Sequence, residues 1–146
     1  MQRIIPMIAY EDAAAAIEFL ERAFGFRERK ASRFTDADGR ISHAELELAD
    51  NIIMLATPTP DYQSPKRHRE NCAQARAWSS VPYIIDGVLV DIDDVDAHFR
   101  QAKAAGSNIL SEPEDVAEAG IRHYRVEDIE GHRWMFSQPI AAKASA

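Results

Sequence analysis

Apolar positions along this chain change period several times, and the changes occur twice in the same order. Arg3 to Tyr10 and Tyr83 to Ile92 are short apolar stretches flanked by acidic residues, too short for helices, and each predicts a strand. Each is followed by helical spacing. Ile17, Leu20, Ala23 and Phe24 lie between Asp12, a natural N-cap, and Gly25, a natural stop. Val95, Phe99 and Ala102 lie between Asp93 or Asp94 and Gly106. The period then returns to two. Ile41 to Leu48 and Asn51 to Ala56 flank an Ala49-Asp50-Asn51 turn, while Ile121 to Ile129 and Arg133 to Ser137 flank Glu130-Gly131. A less regular strand is predicted around Arg27 to Phe34, ending at the Asp36-Ala37-Asp38-Gly39 turn.

The recurrence is an internal repeat at an offset of 81, which pairs Asp12 with Asp93, Ala16 with Ala97, Gly25 with Gly106, Gly39 with Gly120 and Met54 with Met135. Two copies of one βαβββ module are therefore expected, over residues 1–60 and 81–140 of one structural domain. The polar, proline-bearing stretch from Thr57 to Ser80 reads as a connector, centred on 61–80, that lies over a binding site; residues 141–146 read as a frayed tail.

Composition narrows the function. With 24 acidic residues against 17 Lys and Arg, the formal net charge is −7. Such a chain lacks the basic footprint that supplies most affinity for nucleic acid, and anionic membranes are equally poor partners. No apolar run approaches the roughly 18–20 residues of a membrane span, and the first ten residues do not read as a signal peptide, so a cytoplasmic protein is expected. The single cysteine, Cys72, can form neither an internal disulfide nor a cysteine-based zinc cage, and reads as an ordinary thiol.

The paired βαβββ pattern, the acidic-capped helix ending in Ala-Phe-Gly, and Glu127-Asp128-Ile129-Glu130-Gly131-His132-Arg133-Trp134-Met135-Phe136 together resemble the vicinal oxygen chelate superfamily of glyoxalases, bleomycin-resistance proteins and extradiol dioxygenases. The resemblance covers about residues 3–139 and is most specific at Asp128 to Gly131, similar to the family's Asp-Pro-x-Gly turn with Ile in place of Pro. It implies an α+β fold in which two tandem βαβββ modules form a cup-shaped mixed sheet. It also implies a homodimer and, in the family's enzymes, a divalent metal held by one ligand on the first strand of each module and a carboxylate on the last. Those positions fall here on Ile5, on Gly87 or Asp86, and on Met54 and Met135. Metal catalysis of a bidentate oxygen substrate needs converging His and carboxylate donors with open positions. The expectation is thus a protein that uses no cofactor and no metal of the family type, and that sequesters or acts on a partly apolar small molecule, as bleomycin-resistance proteins do.

Strand alternation, with helices covering one side of each sheet, assigns Ile53, Leu55, Trp134 and Phe136 to the helix side. It assigns Met7, Met54, Asp91 and Met135 to the cup, with methionine suited to an adaptable apolar surface. His43 and Glu45, about 6.6 Å apart along one strand, read as a solvated polar face, as ligand contacts, or as part of a displaced metal site. His43-Ala44-Glu45 also looks like a zinc-deaminase signature, but no Pro-Cys-x-x-Cys accompanies it. His123 and Tyr124 occupy the corresponding strand of the second module, with Tyr124 opposite His43 at the 81 offset, and either offers a polar contact to a ligand. Trp78, beside the connector's basic cluster of Lys66, Arg67, His68, Arg69 and Arg76, offers a stacking surface for an anionic or aromatic ligand. His132 reads as structural and His98 as exposed. Two further readings stay open: a metal-dependent lyase or dioxygenase using His43, Glu45 and Asp86, and an interaction module whose cup is filled by its own side chains.

Overall fold

The computed structural model describes residues 1–83 and 86–141. The first module runs β1 (Met7–Ala9), α1 (Ala13–Phe24), β2 (Arg27–Glu28), a 3-10 turn (Lys30–Ser32), β3 (Phe34–Thr35), β4 (Ile41–Leu48) and β5 (Asn51–Ala56). Two short helices follow, α2 (Pro65–Asn71) and α3 (Ala73–Ser79). The second module is β6 (Gly87–Asp91), α4 (Val95–Ala104), β7 (Asn108–Val116), β8 (Ile121–Glu127) and β9 (Arg133–Pro139).

Each module folds its strands into its own mixed sheet, in the order β1-β5-β4-β2 with β3 also on β4, and β6-β9-β8-β7. In both, the first strand runs parallel to the last, a pairing that the intervening helix makes possible, and the remaining pairs are antiparallel. The βαβββ unit is therefore present twice, as two sheets rather than one.

Local chemistry accounts for the elements. Asp12 and Asp94 each cap a helix by accepting the backbone N–H three residues on, at 3.0 and 2.9 Å. Gly25 ends α1 in the left-handed region, which favours glycine. The predicted strand over Arg27 to Phe34 is broken in two by the 3-10 turn, and the connector, read as a loop, carries α2 and α3. Ser64 and Pro65 explain the start of α2: the Ser64 hydroxyl accepts from Arg67 N at 3.3 Å, and proline occupies a position where no N–H is needed. Of the strand predicted over Tyr83 to Ile92, β6 holds Gly87–Asp91; Ile84 and Ile85 lie outside the described residues, as does the predicted tail beyond Ala141.

One cluster of buried side chains spans both modules. Ile17, Leu20 and Phe24 of α1 meet Leu46, Ile53 and Leu55 of the first sheet and Tyr124, Trp134 and Phe136 of the second. The Phe24 ring lies 5.5 Å from Trp134 and 4.9 Å from Phe136. The expected helix-side face of Ile53, Leu55, Trp134 and Phe136 is the buried one. No helix among the described residues is long and apolar enough to cross a membrane.

Candidate functional site

Helices cover one face of each sheet, and the other face carries a hollow. The first, of about 180 Å³, is lined by Met7, Ala9, His43, Met54, Ala56 and Pro58. Its floor follows from strand pairing, because Met7 lies in register with Met54, and Met54 with Glu45. His43 Nε2 lies 3.4 Å from Glu45 Oε1, with Phe34 registered across from His43. Met7 is 80% exposed and Phe34 61%, so this face presents apolar surface to its surroundings.

The second hollow, of about 170 Å³, occupies the equivalent place on the other sheet and is lined by Pro82, Tyr83, Gly87, Leu89, Arg125 and Met135, among others. Leu89 registers with Met135, and Met135 with Arg125. Tyr83 and Leu89 are both exposed. Strand parity places Leu89 on this face, as found, but the sequence reading missed Tyr83 and Arg125, the latter for a reason visible in the ladders. Met54 to Met135 is a step of 81, but the strand before it steps by 80, from Glu45 to Arg125, and the first strand by 82, from Met7 to Leu89.

Tyr124 is placed accordingly. It does not face the hollow: it registers with Phe136, is fully buried on the helix side, and shares a 2.7 Å hydrogen bond with His98 Nδ1. Burial pushes its hydroxyl well above the ordinary tyrosine range. The true counterpart of His43 is His123, which a step of 80 would have matched histidine to histidine. His98, expected to be exposed, is instead wedged between Tyr124 and the Phe24 carbonyl, 2.9 Å from its Nε2. These partners set its tautomer, with Nε2–H donating to Phe24 and Nδ1 accepting from Tyr124.

The remaining candidates divide. Met7, His43, Glu45 and Met54 come together on the first open face, and Met135 lies in the second hollow. Asp91 shares the face of Leu89 and accepts from the Ser137 hydroxyl at 2.7 Å. Trp78, 53% exposed on α3, lines neither hollow. His123 is 6% exposed and its Nδ1 has no partner among the described residues. Burial first, and then the charge of Arg125, lowers its affinity for a proton.

Two larger clefts lie elsewhere. One of about 590 Å³ beneath α2 and α3 is rimmed by Lys66, Arg69, Arg76 and Glu127, of which Arg69 and Glu127 pair with each other and Arg76 holds the Arg69 and Glu70 carbonyls. Arg69 and Arg133 both donate to Glu127 Oε2, at 2.6 and 3.0 Å, and Arg133 also holds the Ser79 and Val81 carbonyls. This buried cluster fastens the connector to the second sheet and delivers Tyr83 to the edge of its hollow. The other, of about 670 Å³, is the seam between the modules, bounded by Ile4, Pro6, Ile53, Val88 and Val90.

The Asp128 to His132 turn has a different task from the hollows. Asp128 Oδ2 accepts from the Tyr10 hydroxyl at 2.6 Å and the Trp134 indole at 3.1 Å, while its Oδ1 accepts from the Glu130 and His132 backbone. Glu130 accepts from Glu11 N and Asp12 N at the entrance to α1, and His132 Nε2 donates to the Ala9 carbonyl at 2.7 Å. The most specific sequence motif is thus the lock between modules.

Among the described residues, no three His, Cys, Asp or Glu side chains converge closely enough to hold an ion.

Comparison with known proteins gives the same fold and a family. The family model for the glyoxalase/bleomycin resistance protein/dioxygenase superfamily matches residues 4–136. An uncharacterized protein of Mycobacterium bovis is 32% identical over 139 residues, covering 92% of this chain and 82% of its own. The crystal structure of TioX from Micromonospora sp. ML1 is 31% identical, covers 98% of this chain and 100% of its own, and superposes with a TM-score of 0.66. TnmS3, an antibiotic-binding protein from Streptomyces sp. CB03234, shares the fold at 18% identity and a TM-score of 0.64, covering 95% of this chain and 97% of its own. With its βαβββ unit built twice and the family model spanning nearly all of both copies, the chain belongs to the glyoxalase/bleomycin resistance protein/dioxygenase superfamily.

Proposed function

We propose that this protein binds a partly apolar small molecule on the open faces of its two sheets, without the metal of the family's enzymes, and does so as a homodimer. The observation that carries the reading is that Met54 and Met135, where the family resemblance puts the carboxylate ligand of each module, stand in register with further apolar side chains. Met54 stands beside Met7, and Met135 beside Leu89. Thioether and alkyl groups offer nothing to a hard divalent ion, but they form a polarizable, adaptable surface for an organic ring.

Size argues for a second copy. Small-molecule pockets usually measure roughly 300–1,000 Å³, and each hollow alone falls short, at about 180 and 170 Å³. Apposing the first hollow of one copy to the second hollow of another would enclose a site of ordinary size and cover the exposed Met7, Leu89 and Tyr83. The antibiotic binding of TnmS3, a protein of the same fold, makes flat antibiotics reasonable first compounds to try.

The competing reading is a metal-dependent lyase or dioxygenase with displaced ligands. Its support is the 3.4 Å approach of His43 to Glu45, and Asp86 is the third donor it would need. Elemental analysis after incubation with nickel, zinc, manganese or iron(II), together with thermal stabilisation by aromatic antibiotics, separates the two. Binding without metal is expected to give stabilisation and no retained ion. About one tightly held ion per chain, lost in His43→Ala, would refute it in favour of the metal enzyme.

A further inference from the structure

Of the half-buried arginines, Arg125 alone has no carboxylate within 4 Å among the described residues. Arg40, Arg69 and Arg122 have such partners, as does the more deeply buried Arg133. Arg125 is also the one that lines a hollow without such a partner, with its Cα in register with Met135 and with Tyr83 and Leu89 among its neighbours. A half-buried arginine that lines a partly apolar hollow loses some of its hydration without a counter-ion to replace it, an arrangement that favours arrival of an anion.

The surroundings add to that field. Arg69 and Arg133 share the single carboxylate of Glu127, which leaves one positive charge uncompensated in that cluster, and Arg133 lines the same hollow. His123, two residues along β8 on the same face, supplies no counter-charge itself; Glu114, in register with it on β7, lies 3.6 Å from its Nε2 but is largely exposed to solvent and is not within ion-pair distance of Arg125. The nearest acid on this face of β6, Asp91, is tied to Ser137. In a chain of net charge −7 this is a local basic site on an acidic molecule, and such a site selects anions by position rather than by overall attraction. The equivalent register position in the first module holds Glu45, in its turn beside a methionine. The two hollows therefore share a methionine floor but differ in the sign of the charge beside it.

We propose that Arg125 anchors an anionic group of the bound molecule, so that the ligand is a flat, largely apolar compound bearing a carboxylate, sulfonate or phenolate. Its ring system lies on Met135, Leu89 and Tyr83 while the acid pairs with the planar guanidinium. The inference rests on the binding reading above and adds the ligand's charge and orientation.

Two probes with one skeleton test it: 8-anilinonaphthalene-1-sulfonate and the neutral N-phenyl-1-naphthylamine, titrated by fluorescence into the full chain. Wild type is expected to bind the sulfonate about tenfold more tightly than the neutral probe at low salt, the size of one charge-assisted contact. The preference should shrink at high salt. Arg125→Met should abolish it while leaving the neutral probe within about twofold of wild type. Arg125→Gln serves where Met disturbs folding, each checked by near-ultraviolet circular dichroism. Arg100→Gln, at an exposed position of α4, should change neither. Equal affinity for both probes, or a sulfonate preference that survives loss of Arg125 or falls equally in Arg100→Gln, overturns the anchoring role alone. So does a loss confined to the sedimentation mass, which would assign Arg125 to a contact between copies. Failure of wild type to bind either probe overturns the binding reading itself.

Discussion

Asp128 offers the sharpest test of how the two modules are held together. Its carboxylate is 5% exposed and takes four hydrogen bonds, two of them from side chains that have no access to water: the hydroxyl of Tyr10, 0% exposed, and the indole of Trp134, 1% exposed. Asp128→Ala strands both donors at once. Leaving a buried donor unsatisfied costs about 1–3 kcal/mol, so the pair together with the loosened turn should cost about 3–6 kcal/mol. A chain of 146 residues has a net stability of roughly 7–20 kcal/mol, so the variant should remain folded but unfold at a urea concentration lower by about 2 M. Tyr10→Phe removes one stranded donor, and the cost of Asp128→Ala measured in that background should fall by about 1–2 kcal/mol. Equilibrium urea unfolding of the four proteins closes the cycle. A cost below about 1 kcal/mol for Asp128→Ala, or strict additivity with Tyr10→Phe, would refute the account of Asp128 as the shared acceptor between modules.

Other consequences are equally direct. Glu127→Ala leaves Arg69 and Arg133 facing each other without a counter-ion and should cost about 3–5 kcal/mol, with residues 60–83 becoming sensitive to trypsin; unchanged proteolysis would exclude the ionic fastening of the connector. Gly131 has a φ of +85°, and a Cβ there would run into Arg69 and the Lys66 backbone, so Gly131→Ala should destabilise by at least about 1–2 kcal/mol in thermal unfolding. Burial lowers the pKa of His98 below its ordinary 6.5, so its contribution is fully present above that pH and is lost as pH falls, because the unfolded chain takes up the proton first. The stability advantage of wild type over His98→Gln should therefore narrow from pH 8 to pH 5, and an imidazole midpoint at or above 6.5 by NMR would contradict it.

Periodicity and punctuation made most of this fold legible, since Asp12, Gly25 and the repeated apolar spacing each act within a few residues of their position. What could not be read locally was either a short element or a long-range partner. α2 and α3 have seven residues each, too few to show a face, and they persist because Arg69 and Arg133 hold them to Glu127 across more than fifty residues of sequence. His98 looks like a surface residue of α4 until the fold brings Tyr124 and the Phe24 carbonyl to its two nitrogens.

The site shows why a repeat is not yet a register. Alternation sorts the residues of one strand into two faces, but which residue stands beside Met135 depends on how many residues each turn consumes. The first module joins Leu48 to Asn51 through two residues, with Ala49 at a φ of 51°, whereas the second joins Glu127 to Arg133 through five. A single offset of 81 averages over such differences, and because the side-chain period of a strand is two, an error of one exchanges its faces. That single residue is the difference between Tyr124, whose hydroxyl completes the core through His98, and Arg125, which lines the hollow. The methionines were legible because the last strand of each module keeps the 81 step, and the charge beside them was not because the neighbouring strand does not. In a duplicated fold the chemistry of a shared floor can thus be read from sequence, while its polarity is decided by turn lengths that have no chemistry of their own.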